Sequence, residues 1–454
     1  MNYLTKETVK SASMAFLLLY LFFSCTPHKE VTPETALESY MEKKDKSFEW
    51  ELVDSYGQNG LKTYNLLLTS QQWREYTWRH QLSIVVPDEY THEEALLFIT
   101  GGSNDNEMPN WKKKDDDALQ IMRLVAQKNK APVAVLYQVP NQPLYGDLTE
   151  DELISYTLHN YRNDKDMTWP LLFPMVKSAV RAMDAIESFS STNLKHEITG
   201  FVVSGASKRG WTTWLTGASD SRVKAIAPMV IDMLNMPKNI SYHLEAWGDY
   251  SIQIQDYVEL GIAQDIDTPD GQEITTMIDP FSYREKLTMP KLIFIGTNDE
   301  YWPVDAVKHY FDQIPGENYI HYVPNAGHGL GDKKQAIQSL SAFFGETLEN
   351  IKYPACSWSS EENEKGISIT VKTSPERLVG VLLWSSDSED RDFRDNEFAS
   401  KKITPENHNQ IKITVNYPDT GFRAFYIDLL YPHPNGEIYS KSTRIFLADE
   451  DEIL

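Results

Sequence analysis

Cysteine is nearly absent from this chain: Cys25 and Cys356 are the only two in 454 residues, too few for the disulfide framework of a small stapled domain. Stability must come from packing, and this length with 41% hydrophobic residues fills a large core and predicts more than one domain. Basic charge is also in deficit. Lys and Arg number 43 against 66 Asp and Glu, and the resulting net charge of −23 repels phosphate backbones, so no nucleic-acid partner is expected. The same acidic excess keeps a secreted protein soluble. No cluster of histidines or carboxylates has metal-ligand spacing, so neither a metal nor another cofactor is expected. Internal repeats and low-complexity tracts are lacking too.

What is present begins with the N-terminus. After Lys6 and Lys10, "SASMAFLLLYLFFSC" holds an apolar stretch of about a dozen residues, enough for a signal-peptide core and short of the roughly 20 that span a bilayer. The stretch ends at Cys25 behind Leu21, Phe22, Phe23 and Ser24. That arrangement resembles a bacterial lipoprotein signal, in which residues 1–24 are removed and the cysteine is lipidated; ordinary signal cleavage is the alternative. Lipidation would anchor the protein to the cell envelope, at the outer membrane, and would leave Cys356 without a disulfide partner.

Residues 25–50 are polar, charged and proline-punctuated at first, which suits a tether. From residue 51 to 352 the pattern predicts an α/β-hydrolase fold. "TYNLLLTSQQW" and "WRHQLSIVVP" read as paired strands. "EEALLFITGG" and "APVAVLYQVP" read as strands buried on both faces, with a helix between them marked by Leu119, Met122, Val125 and Ala126. A long helix over 168–189 leads to the strand "FVVSG". Helix and strand then alternate through "GWTTWLTGASD", "VKAIAPMVI", "KLIFIG", a helix near 305–313, "YIHYV" and a last helix over 332–350. A doubly wound, mostly parallel sheet follows from this alternation. The segment 233–289 interrupts it where a cap would grow, and its Tyr242, Trp247, Tyr250 and Tyr257 either line a pocket or form the cap's own core. Trp211 and Trp214 read as core. Beyond residue 353, Ile367, Ile369 and Val371, then Ile411, Ile413 and Val415, alternate as in a small β-sandwich, with a turn at Pro434, Asn435 and Gly436. That accessory region either binds a partner or carbohydrate, or covers one side of the hydrolase.

The most informative stretch is "FVVSGASKRGWTTWL". A nucleophile elbow needs a strand, a tight turn with small neighbours, and a helix whose N-terminal amides face developing negative charge. Ser207 has Phe201 to Ser204 before it, Gly205 and Ala206 at the turn, and Trp211 to Leu215 behind. The second glycine is displaced, giving G-x-S-x-x-G with Arg209 where a glycine is usual. Downstream, Asp299 in "KLIFIGTNDEYWP" and His328 in "YIHYVPNAGHGL" each follow a strand, in the chain order Ser, Asp, His of an α/β-hydrolase triad. Glu300 points away from its neighbour's direction, whereas Asp232, at the end of "IAPMVI", competes for the acid's place or reaches substrate. His321 lies mid-strand and His309 in a helical pattern, so neither matches His328 and its flanking glycines.

The oxyanion hole needs two backbone donors. The amide of Lys208 is one, and Gly102 or Ser103 in "TGGSN" supplies the other. The side chains of Lys208 and Arg209 have two readings: positive charge for an anionic substrate group or the oxyanion, or ion pairs with nearby acids.

"QVPNQPL" (138–144), "GASKRGWTTWLTG" (205–217) and "DPFSY" (279–283) resemble the PhoPQ-activated pathogenicity-related family, which also includes the autocrine proliferation repressor proteins of social amoebae. The resemblance runs over most of the chain past the tether. It implies an α/β-hydrolase-like fold, export, and links to virulence or secreted signalling. "GASKRG" alone is similar to the elbow of glucuronoyl esterases, which implies that Lys208 assists the oxyanion. Two expectations result: an exported serine hydrolase acting on a small-molecule, glycan or peptide ester or amide, or a secreted binding protein that keeps the fold without turnover.

Overall fold

The computed structural model describes residues 30–454 apart from 365, 406 and 434–436, so the signal segment, Cys25 and the Pro434 to Gly436 turn lie outside the described residues. The expected tether is partly folded. Leu37 and Tyr40 stand one turn apart on α1 (Ala36–Glu42) and are buried, with the Tyr40 hydroxyl donating to Gln71 Oε1 at 2.7 Å. An i, i+3 apolar pair is enough to dock a short helix on a core, so no free linker spans residues 33–50.

β1 (Glu49–Gln58), β2 (Leu61–Trp73) and β3 (Tyr76–Pro87) form an antiparallel meander. Then β4 (Glu94–Ile99), α2 (Asp117–Asn129) and β5 (Val133–Leu136) make the expected βαβ unit, its two strands parallel. α3 (Glu150–Asp164) is a helix that the sequence pattern did not reveal, and α4 (Leu172–Asn193) leads into β6 (Gly200–Ala206). α5 (Lys208–Ser219) and β7 (Val223–Met229) follow. The insertion holds α6 (Met236–Trp247), α7 (Gln255–Glu259) and α8 (Pro269–Ile278) before β8 (Lys291–Gly296) and β9 (Asn318–Val323). Only two 3-10 turns, Ala306–His309 and Phe311–Gln313, occupy the place of the helix expected near 305–313. α9 (Lys334–Leu348) closes this part.

The strand order is β1-β2-β3-β5-β4-β6-β7-β8-β9, and β5, β4, β6, β7, β8 and β9 run parallel. Side chains alternate between two cores, which is why these strands read as continuous apolar runs. Leu97 and Val203 join α4, α5 and the cap; Leu96 and Val202 join α2 and α9. The loops that hold Gly102, Ser207, Asp299 and His328 leave the carboxyl ends of β4, β6, β8 and β9, where an open α/β sheet places a site.

The C-terminal strands are β10 (Ser357–Asn363), β11 (Gly366–Lys372), β12 (Gly380–Ser388), β13 (Ala399–Lys402), β14 (Gln410–Asn416), β15 (Phe422–Pro432), β16 (Ile438–Ser442) and β17 (Phe446–Ala448). β10, β11 and β14 form one sheet, in which Ile367, Ile369 and Val371 pair with Val415, Ile413 and Ile411. These residues share a core with Phe425, Ile427 and Leu429 of β15, so two layers face each other as in a sandwich. The second layer continues the central sheet, because β16 pairs with β9 at Ile320 and Ser442. Thr32–Leu454 form one compact unit.

Candidate active site

Ser207 sits between β6 and α5 with φ 59° and ψ −128°, a conformation that costs a non-glycine residue about 1–3 kcal/mol. Close packing enforces it. The Ser207 amide donates to Met229 O at 2.8 Å, and a Cβ on Gly210 would lie 2.7 Å from that same carbonyl oxygen. A Cβ on Gly205 would lie 2.8 Å from Arg209 O. The displaced glycine of the motif is therefore the residue at which α5 crosses the end of β7. Lys208 occupies the first helical position, where an amide has no intrahelical acceptor.

The acid and the histidine come from the loops after β8 and β9, two and three strands along the parallel sheet from β6. His328 Nδ1 lies 3.0 Å from both Asp299 Oδ1 and Oδ2, while Asp299 is only 4% exposed. Asp299 Oδ1 also accepts the Tyr301 amide at 2.9 Å, and the Tyr301 ring stacks on the imidazole at 4.1 Å. Glu300 turns the other way, accepting the His328 amide at 2.8 Å through Oε2. The two loops touch so closely that a Cβ on Gly296 would stand 2.3 Å from Ala326 O. His328 Nε2 is buried without a hydrogen-bond partner, and no hydrogen bond joins it to Ser207 Oγ among the described residues.

Ser207 and His328 line one cavity with about 50 Å³ open to the centres of water molecules. Half of its wall comes from the cap, including Met236, Ile240, Ile254 and Ile266, and Trp211 and Trp302 add to it. Of the cap aromatics, only Tyr257 reaches it; the Tyr242 hydroxyl donates to Asp305 Oδ1 at 3.0 Å and Trp247 lies under Arg394. Trp211 and Trp214 are both core, as expected, and Trp211 also forms part of the cavity wall. The cap is tied down at Asp279, whose Oδ2 and Oδ1 accept the amides of Met236 and Phe281 at 2.7 and 2.9 Å. Burial pushes this carboxyl up to about 7 despite those donors.

The other sequence-derived candidates separate here. Lys208 lines the cavity with Nζ paired to Glu150 at 3.0 Å and Asp151 at 2.9 Å, both on α3. Arg209 does not line it. Its Nη1 and Nη2 each reach a Glu150 oxygen at 2.7 Å and its Nε donates to Val139 O, so the guanidinium is spent inside the protein rather than on substrate. Burial raises Glu150, but Arg209 and Lys208 outweigh it and hold the carboxyl at about 2. Asp232 is also removed from the substrate role. It is 1% exposed and absent from the cavity wall, and burial pushes it up to about 8. The Tyr310 hydroxyl beside it does not meet hydrogen-bond geometry. Gly102 and Ser103 lie in the loop after β4 outside the cavity lining; Gly102 O accepts from Gln142 Nε2 at 3.0 Å, and Ser103 O from the Asn110 amide at 2.9 Å.

Sequence reasoning missed Glu150 and Asp151, whose only local signal is the acidic first turn of α3 after Thr149. It also missed two asparagines. Asn298 Nδ2 donates to Phe393 O and Asn396 O at 2.8 and 2.7 Å, and Asn325 exchanges two bonds with the Phe398 backbone at 3.0 and 2.7 Å. The loop before β13 thereby grips both the Asp299 loop and the His328 loop. It also reaches the cap, through Arg391 to Glu245 at 3.0 Å and Arg394 over the Trp247 ring at 4.2 Å.

A serine on a positive-φ turn from buried strand to helix, with a histidine and an aspartate from successive parallel strands, defines a protein of the α/β-hydrolase fold. Within that class the chain belongs to the PhoPQ-activated pathogenicity-related protein family, whose model matches residues 37–394. It is 30% identical over 472 residues to autocrine proliferation repressor protein A of Dictyostelium discoideum, covering 96% of this chain and 93% of that relative. Among solved structures it is similar to an acetyl xylan esterase from Paenibacillus sp. R4, at 14% identity and TM-score 0.48 over 68% of this chain and 92% of that one. Acetyl xylan esterase 1 from a Thermoanaerobacterium species is similar at 16% identity and TM-score 0.46, over 67% and 90% of the two chains.

Proposed function

We propose that this protein is an exported serine hydrolase that cleaves an ester or amide through Ser207, His328 and Asp299. The observation that carries the reading is the His328–Asp299 pair, with His328 on the wall of a cavity that Ser207 also lines. His328 Nε2 takes the Ser207 Oγ proton as the oxygen attacks the carbonyl carbon, and gives that proton to the leaving alcohol or amine. Water then releases the acyl group from Ser207 by the same route. Asp299 holds the Nδ1–H tautomer and stabilises the imidazolium, and the Lys208 amide, with a donor from the Gly102 and Ser103 loop, faces the oxyanion. Apo geometry with an unmade serine-to-histidine bond is compatible with this role, because such bonds often tighten only with substrate bound.

The signal segment and Cys25 support delivery to the cell envelope as a lipoprotein. Incorporation of labelled palmitate, lost in Cys25→Ser, is the expected result. The decisive test of activity is a fluorophosphonate probe on the purified wild type and Ser207→Ala: labelling confined to the wild type is expected. Folded wild type that takes no label supports the second reading, a secreted binding or signalling protein. One observation favours that reading, the missing bond between Ser207 Oγ and His328 Nε2.

A further inference from the structure

The cavity beside Ser207 is roofed in part by the cap, and the surface it exposes is mostly apolar. Met233, Met236, Ile240, Ile254, Ile262 and Ile266 contribute uncharged, apolar side chains. The charges in its wall are already balanced: Lys208, with Arg209 behind it, faces Glu150 and Asp151 at ion-pair distance. Tyr257 spends its hydroxyl on Asp151 Oδ1 at 3.0 Å. A sugar ring placed here would exchange its water for little more than the unpaired indole N–H of Trp302, and a carboxylate would meet a lysine already paired with two acids. The surroundings add repulsion for an anion. Asp256 on α7 is raised first by burial and then by the charges of Asp151, Glu152 and Glu259.

Orientation follows from α5. Trp211 stands one turn along the helix from Lys208, and both line the cavity with Ser207, the residue to which an acyl group would bond in the reading above. We infer that the cavity is an acyl pocket for a short, uncharged aliphatic group of roughly two to four carbons, since its open volume equals about four water positions. The alcohol or amine half lies outside the cap and sets no such limit. This inference rests on the serine-hydrolase reading and deepens it.

The test uses the purified chain with p-nitrophenyl acetate, butyrate, octanoate and hemisuccinate, together with methyl glucuronate, and fluorophosphonate labelling in parallel. Acetate and butyrate are expected to exceed octanoate and hemisuccinate in kcat/KM by about tenfold or more, the discrimination a filled apolar pocket gives per extra methylene group. In Ile240→Ala the optimum moves to a longer chain; the wild-type series stands by itself if that variant fails to fold. Labelled enzyme that prefers octanoate, hemisuccinate or methyl glucuronate would overturn the acyl-pocket assignment alone. Folded wild type that neither labels nor hydrolyses any ester would overturn the serine-hydrolase reading and this inference with it.

Discussion

At the scale of single residues, the catalytic candidates were legible because each carries its own local signal. Ser207 follows an apolar run and small residues, Asp299 and His328 each follow a strand, and these cues need no knowledge of the rest of the fold. The roles of Lys208 and Arg209 were not legible, because they are set by Glu150 on a helix distant in sequence. The glycine displaced to position 210 makes a sharp case. A methyl group there meets Met229 O at 2.7 Å and Ile231 Cγ2 at 2.9 Å, and the carbonyl belongs to a central strand that cannot retreat. Gly210→Ala is therefore expected to lose about 1–3 kcal/mol of stability and to slow probe labelling, as urea midpoints and labelling rates will show.

Asp232 gives a residue-scale prediction with a definite sign. Its carboxyl titrates at about 8 in the fold against 3.8 ordinarily, because burial disfavours the charged form. The native state thus keeps a proton that the unfolded chain releases, so between these values rising pH favours unfolding by up to about 1.4 kcal/mol per pH unit. Asp232→Asn cannot ionise. Its melting temperature relative to wild type is expected to climb from pH 5 to pH 8 and level off above; a pH-independent difference would show that Asp232 is ionised in the fold.

At the scale of elements, long strands and helices with clear periods were readable, and those whose buried face is polar were not. α3 buries Ser155 and Thr157 among Leu153, Ile154, Leu158 and Tyr161, which blurs its apolar stripe. α1 is too short to show a period, yet it docks through Leu37 and Tyr40. The clamp on the Asp299 and His328 loops is an element-scale device of the same hidden kind, since an asparagine in a loop carries no sign of its partner. Asn298 and Asn325 flank Asp299 and His328 and satisfy backbone groups of the Phe393 to Phe398 loop. Removing either side chain leaves carbonyls unpaired and loosens the loop that aims the imidazole. Asn298→Ala and Asn325→Ala are expected to lower kcat on the best p-nitrophenyl ester by about 10- to 100-fold with KM little changed, because the acyl pocket is built by other residues. A rise in KM at constant kcat would mean that the clamp shapes the pocket instead.

At the scale of the whole molecule, the two-region reading of the sequence meets a single continuous sheet. Alternation in β11 and β14 revealed the sandwich layer that pairs within itself. The junction with the hydrolase part stayed hidden because its strand pairing is one bridge, Ile320 to Ser442, between strands far apart in the chain. Around that bridge the Tyr322 ring packs on Tyr426 at 5.0 Å, and Lys441 Nζ stands 3.5 Å over the Tyr319 ring. Deleting residues 353–454 would uncover these rings, turn β9 into an open edge strand, and remove every acceptor of Asn298 on the Phe393 to Asn396 loop. An unprotected edge beside exposed aromatic surface promotes association between chains. The truncated chain is therefore expected to aggregate, and any soluble fraction to label with fluorophosphonate far more slowly than the full chain. A soluble monomer with full labelling would make the C-terminal strands a separable binding module, since only a module that neither seals the sheet nor holds the catalytic loops could be removed without loss.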